Sequence, residues 1–144
     1  MQTPNEDPIL QRERQLLDRW VQGGGVDAED YADDVTYFDP LTRARIDGLQ
    51  ALSVYCESSQ GQHEIARYEI ANPQVVNAGE LALLTYNLTT YTRDANDEEK
   101  LADSWNCTAV YRRDGTNWKV VHAHWSFTAH EAFLEPPAEG EAGA

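Results

Sequence analysis

The sequence predicts an α+β domain in which one strongly curved antiparallel sheet wraps around helices packed on its concave side. Three observations lead there. Helical periodicity of the apolar residues is confined to the part of the chain before Gly61. Four long stretches rich in β-branched and aromatic residues follow from His63 onward. The last two flank Asp114-Gly115-Thr116-Asn117, whose short polar and glycine residues suit a reversing turn. Helices first and a strand meander afterwards is the α+β order, and a sheet curled around helices leaves a pocket between the two layers.

The elements follow in order. Asp7 before Pro8 is an N-cap with proline at the first helical position, and Leu10, Leu16, Leu17, Trp20 and Val21 recur at helical spacing until Gly23-Gly24-Gly25 stops the helix. Asp27 is expected to cap a short second helix through Tyr31. Val35 to Phe38 reads as a strand ended by Pro40, with a hairpin-like return over residues 41 to 46. Asp47 is expected to cap a third helix whose stripe is Leu49, Leu52, Tyr55 and Cys56, with Gly61 as its stop. Strands are expected over 63 to 76, bent at Asn72-Pro73, then 81 to 92, about 102 to 113, and 117 to 127. The acidic run from Arg93 to Lys100 is a solvated hairpin tip. Residues 7 to 134 are expected to form one domain. Residues 1 to 6 and 135 to 144 are polar or small and expected to be disordered.

Composition narrows the function. The chain of 144 residues carries 25 acidic against 11 basic side chains, a net charge of -14 that repels phosphate backbones and anionic lipid. Nucleic acid and membrane surfaces are therefore not expected as partners. The N-terminal residues show no basic and apolar leader, and no apolar run has transmembrane length, so a cytoplasmic protein is expected. Cys56 and Cys107 lack metal-ligand spacing and read as reduced core thiols; no cofactor is expected. Asn87-Leu88-Thr89 and Asn106-Cys107-Thr108 match the glycosylation sequon by chance in a non-secreted chain.

Four segments carry a family resemblance. Arg112-Arg113-Asp114-Gly115 leads into Trp118, Val121, His122 and His124; Tyr37-Phe38-Asp39-Pro40, Asn72-Pro73-Gln74-Val75 and the strand Leu81 to Tyr91 precede it in order. Together they resemble the calcium/calmodulin-dependent protein kinase II association domain, a branch of the nuclear transport factor 2-like superfamily that also holds polyketide cyclases and ketosteroid isomerases. The likeness runs from about Tyr31 to Ser126. It implies a cone-shaped α+β barrel that assembles through its sheet into a homodimer or larger ring. Kinase catalytic motifs are missing from the sequence, so no phosphoryl transfer is expected. The kinase domains direct three arginines into their pocket, and the aligned positions here are Asn87, Thr108 and Trp125, which implies a pocket without cationic forks for anions.

Candidate site residues follow from strand alternation anchored on that alignment. Val121, Ala123, Trp125 and Phe127 are expected to face inward, as are Thr85, Asn87 and Thr89 on one strand and Asn106, Thr108 and Val110 on the next. Trp20, Tyr37 and Asp39 are expected at the rim. Such a lining is neutral, polar and aromatic, suited to a small uncharged or amphipathic ligand. Tyr86, Leu88, His122 and His124 are expected on the outer face, where a second copy packs. His122 and His124 supply at most two metal ligands, with His63 the nearest candidate for a third, and no metal site is expected. The leading expectation is a non-catalytic association and small-molecule-binding module. The alternative is a lyase or isomerase with Asp39 as general base and Tyr37 as enolate stabiliser, Asp103 being a second acidic candidate. An enzyme of that kind needs a base and an electrophile converging within hydrogen-bond reach; a binding module does not.

Overall fold

The computed structural model describes residues 6–59 and 64–129. Helix α1 (Pro8–Val21) begins where the Asp7 carboxylate accepts the Ile9 amide at 2.8 Å. Its apolar stripe, Ile9, Leu10, Leu16 and Leu17, is buried. Each such side chain contributes about 1.5–3 kcal/mol on removal from water. The helix ends where the Gly24 amide bonds to the Arg19 carbonyl at 2.8 Å while Gly23 takes φ +82°, a conformation costly for any residue with a Cβ.

Two helices are present among the described residues, against the three expected. Asp27 starts only a turn: its carbonyl accepts from Asp30 and Tyr31 at 3.0 and 3.2 Å, and β1 (Tyr31–Phe38) follows at once. Pairing of Tyr31 with Val120 on β6 (Asn117–Phe127) takes the residue that a helix would have needed. Asp47 is likewise no cap. It ends the short strand β2 (Ile46–Asp47), and its carboxylate is held by Arg45 at 2.5 Å. Helix α2 (Leu49–Ser59) is led instead by Gly48, φ +95°, whose carbonyl accepts the Leu52 amide.

The sheet has six strands in the order β2-β1-β6-β5-β4-β3, completed by β3 (Arg67–Ala78), β4 (Leu81–Arg93) and β5 (Glu99–Asp114). β1 runs parallel to β6, and the remaining neighbours are antiparallel. Register shifts interrupt every long pairing, at Ala71/Gln74, Thr90/Tyr91, Val110/Tyr111 and Tyr31/Thr36. Bulges of this kind add local twist and bend, which is how the sheet curls around the helices. The first coincides with Asn72-Pro73, where Asn72 takes φ 55°.

The core lies on the concave side. Ala82, Leu84, Tyr86 and Leu88 of β4 and Cys107, Ala109 and Tyr111 of β5 pack there with Val120, Ala123, Val35, Leu52 and the α1 stripe. The six residues of β4 and β5 expected to face inward, Thr89 and Val110 among them, consequently point the other way. Thr85 pairs with Thr108 and Asn87 with Asn106, all on the convex face, and Asn87 spends its amide on Asn106 Oδ1 at 2.8 Å. Conversely Tyr86 and Leu88, expected outside, are 4% and 1% exposed in the core. The register gives the reason: Trp125 pairs with Cys107, whereas Thr108 pairs with His124 and Asn106 with Ser126. Asn87, Thr108 and Trp125 therefore cannot share a face, and a one-residue slip in alignment reverses a whole strand. Val121 is the residue skipped between the Tyr111–Val120 and Val110–His122 pairs, which puts Val120 rather than Val121 in the core.

Candidate functional site at the open end of the concave face

α1 and β6 finish at the same end of the cone, and there three of the four tryptophans meet. Trp125 stands edge-on to Trp20 with ring centroids 5.5 Å apart, and edge-on to Trp105 at 5.3 Å. Phe127 extends the cluster, 4.6 Å from Trp105. The Trp105 indole N–H reaches the buried Thr90 hydroxyl at 3.3 Å, which fixes that ring. Trp20 and Phe127 remain 39% and 49% exposed, so the aromatic wall is open to solvent. Asp103, on the same face of β5 as Trp105, pairs with Thr90 and is half-buried.

Beside this wall, Tyr37 on β1 and Tyr55 on α2 converge on Asp39. Tyr37 donates to Oδ2 at 2.9 Å and Tyr55 to Oδ1 at 2.6 Å, while Oδ1 also accepts the Leu41 and Thr42 amides at 2.9 and 3.1 Å. Asp39 thus organises the Pro40 turn, as an aspartate preceding proline commonly does. Burial, reinforced by the neighbouring Asp39 charge, pushes the Tyr37 phenol well above its ordinary value and Tyr55 likewise upward. Both stay protonated donors. Burial and Asp39 also raise the adjacent Cys56 thiol to about 11, which removes it as a nucleophile at neutral pH.

The sequence reading missed a third group. Glu13 of α1 is 4% exposed, and its two oxygens accept from the hydroxyls of Tyr86 and Tyr111. Burial pushes its carboxyl upward against the opposing effect of the two phenols. The signal was present: Glu13 lies three residues after Leu10 and four before Leu17, inside the apolar stripe. Its neighbour Arg12 is directed elsewhere, to Asp30 at 3.0 Å, a carboxylate with 1% side-chain exposure that Arg19 also meets at 3.0 Å.

Of the remaining site residues, Ala123 is buried on the concave face between Tyr37 and Ala109. His122 and His124 lie on the convex face with Phe38 against both rings at 5.9 and 5.2 Å, and His122 Nδ1 is 2.7 Å from the Thr36 hydroxyl. Burial, then the neighbouring His124, lowers the His122 imidazole. Among the described residues no group of three or more His, Cys, Asp or Glu side chains is placed to hold a metal, and His63 lies outside them. No described helix is long and apolar enough to cross a membrane.

A curled six-stranded sheet over two helices is the nuclear transport factor 2-like architecture. Residues 28–130 match the SnoaL-like domain profile, and the chain belongs to that family. A candidate ketosteroid isomerase from Parabacteroides distasonis is similar in sequence and fold, with 31% identity over 89% of this chain and 93% of that one, at a TM-score of 0.68. The calcium/calmodulin-dependent kinase II hub of S. rosetta shares the fold at 19% identity, covering 89% of this chain and all 100% of that one, TM-score 0.67. The association domain of the C. elegans kinase does so at 22% identity, covering 82% and 92%, TM-score 0.65. No curated protein matches the sequence.

Proposed function

We propose that this protein is a self-associating small-molecule-binding domain whose ligand enters at the aromatic end of the cone. The observation that carries the reading is the Trp20–Trp125–Trp105 cluster: Trp125 and Trp105 are half-buried and held in place, while Trp20, a large ring that a closed core would cover, stands open to solvent beside them. A working base is not favoured at Asp39, because both tyrosine donors and two backbone amides are spent on its carboxylate. Self-association is supported by the convex face. Phe38, Thr85, Asn87, Asn106, Thr108, His122 and His124 form a strip without an acid or a lysine in a chain of net charge -14, with Asp47, opposite Thr36, at its edge. Copies that repel one another elsewhere can meet there. Titration with Nile red, a neutral environment-sensitive dye, tests the ligand site: saturable binding that quenches tryptophan emission and weakens in Trp20→Leu is expected, and dye binding indifferent to that change refutes it.

The Asp39–Tyr37–Tyr55 convergence favours one second reading, a proton-shifting isomerase in which Asp39 moves a proton between carbons of an enone precursor and a tyrosine hydroxyl supports the enolate oxygen. A ligand carbonyl would first have to displace one phenol from Asp39. Conversion of a β,γ-unsaturated ketone to its conjugated isomer, followed by ultraviolet absorbance and abolished in Asp39→Asn, is the outcome that would place this reading first.

A further inference from the structure

We propose that the aromatic cluster is a cage for an organic cation, the trimethylammonium or protonated amine end of a small molecule; this rests on the cone's open end being the ligand site. With Thr85, Asn87, Asn106 and Thr108 turned to the convex face, the amide and hydroxyl lining that suited an uncharged ligand is absent from the concave side. What stands there is aromatic and acidic. Trp20 meets Trp125 edge-on and stays 39% exposed, so it retains open π surface, while Trp105, edge-on to Trp125 and tilted against the half-exposed Phe127, backs it. The negative face of an indole attracts a cation within about 6 Å.

Charge complementarity points the same way. Asp103 lies two residues from Trp105 on the same face, and Asp39 directly follows Phe38, the last residue of β1, which pairs with His124 next to Trp125. Asp103 thus puts a carboxylate on the cluster's own strand, and Asp39, although hydrogen-bonded to Tyr37 and Tyr55, adds negative charge just past the end of β1. Arg19, the cation next to Trp20, does not fill the cage: it is directed at Asp27 and Asp30, at 3.4 and 3.0 Å. The net charge of -14 concentrates cations at the surface and excludes anions.

Calorimetric titration of the full chain with choline, and with the neutral isostere in which a tert-butyl group replaces trimethylammonium, isolates the charge at constant shape. Choline is expected to bind about tenfold more tightly, and Trp125→Leu or Asp103→Asn should erase that preference while Trp125→Phe keeps most of it. Trp20→Leu is the companion variant, since a ring 39% exposed is replaceable without loss of the fold, and it too should reduce the preference. Equal binding of choline and its isostere overturns the cage and leaves the ligand site standing. Binding of neither overturns both. A choline preference undiminished in all of the ring-deleting variants also overturns the cage.

Discussion

The Tyr111 hydroxyl of β5 donates to Glu13 Oε1 of α1, and the Tyr86 hydroxyl of β4 donates to the other oxygen of the same carboxyl. One buried acid therefore ties the helix to two strands across the layer interface. The cost of burying it appears as a carboxyl held more protonated in the folded chain than in the unfolded one. A folded pKa raised above the unfolded value gives stability that is complete below the unfolded value of 4.5 and is lost as pH rises through the folded one. Glu13→Gln keeps the shape and removes the titration. Urea unfolding of both proteins across that range should show the variant gaining on the parent as pH rises, and parallel profiles would contradict the assignment. Glu13→Ala should be worse at every pH, since it strands two buried hydroxyls at about 1–3 kcal/mol each.

Trp125→Ala tests how far the aromatic cluster is core and how far it is site. Complete burial of a tryptophan would make its truncation cost roughly 3–5 kcal/mol. Because Trp20 and Phe127 beside it are open to solvent, the expected loss is at or just below the bottom of that range, and the tryptophan emission should shift to the red as Trp20 loses its neighbour. Loss of the full amount without a spectral shift would mean that the cluster is a closed plug.

Much of this fold was legible because local chemistry and tertiary fold agreed. Asp7-Pro8 marked a true helix start, and the Asp114–Asn117 turn set β6 to the residue. What failed did so for identifiable reasons. Asp27 and Asp47 carry helix-capping chemistry, but strand pairing claimed the residues beside them. The inward residues expected on β4 and β5 rest on the three pocket-arginine positions that the family resemblance implies, although the alternation Ala82, Leu84, Tyr86, Leu88 already identifies the apolar face. Glu13 escaped because acids on helices are usually solvated, and nothing local says that two tyrosines far along the chain will meet it.

Asp39→Asn separates the structural from the catalytic meaning of the rim. Removing the charge relieves one of the causes that hold the Tyr37 and Tyr55 phenols up. Alkaline titration followed by tyrosinate absorbance should therefore show tyrosines ionising earlier than in the parent. Stability should fall by about 1–3 kcal/mol through the weakened turn and phenol contacts. An unchanged tyrosine titration would mean that Asp39 does not govern these phenols.

The convex face makes the final prediction, because it separates residues one apart in sequence. Thr108 lies between Thr85 and His124 in the middle of the uncharged strip, while Cys107 next to it faces the core, as does Tyr86 on β4. A specific dimer through this face would bury on the order of 1,000 Å² or more. Sedimentation of the parent at tens of micromolar should show a dimer. Thr108→Glu should give a folded monomer, its melting little changed, because the new carboxylate is solvated in the monomer and faces its own copy or a desolvated surface in the dimer. Tyr86→Glu should instead unfold the chain, placing a second carboxyl against Glu13 in the core. A Thr108→Glu protein that remains dimeric would show that the copies meet elsewhere, and a monomeric parent would remove self-association from the proposed function altogether.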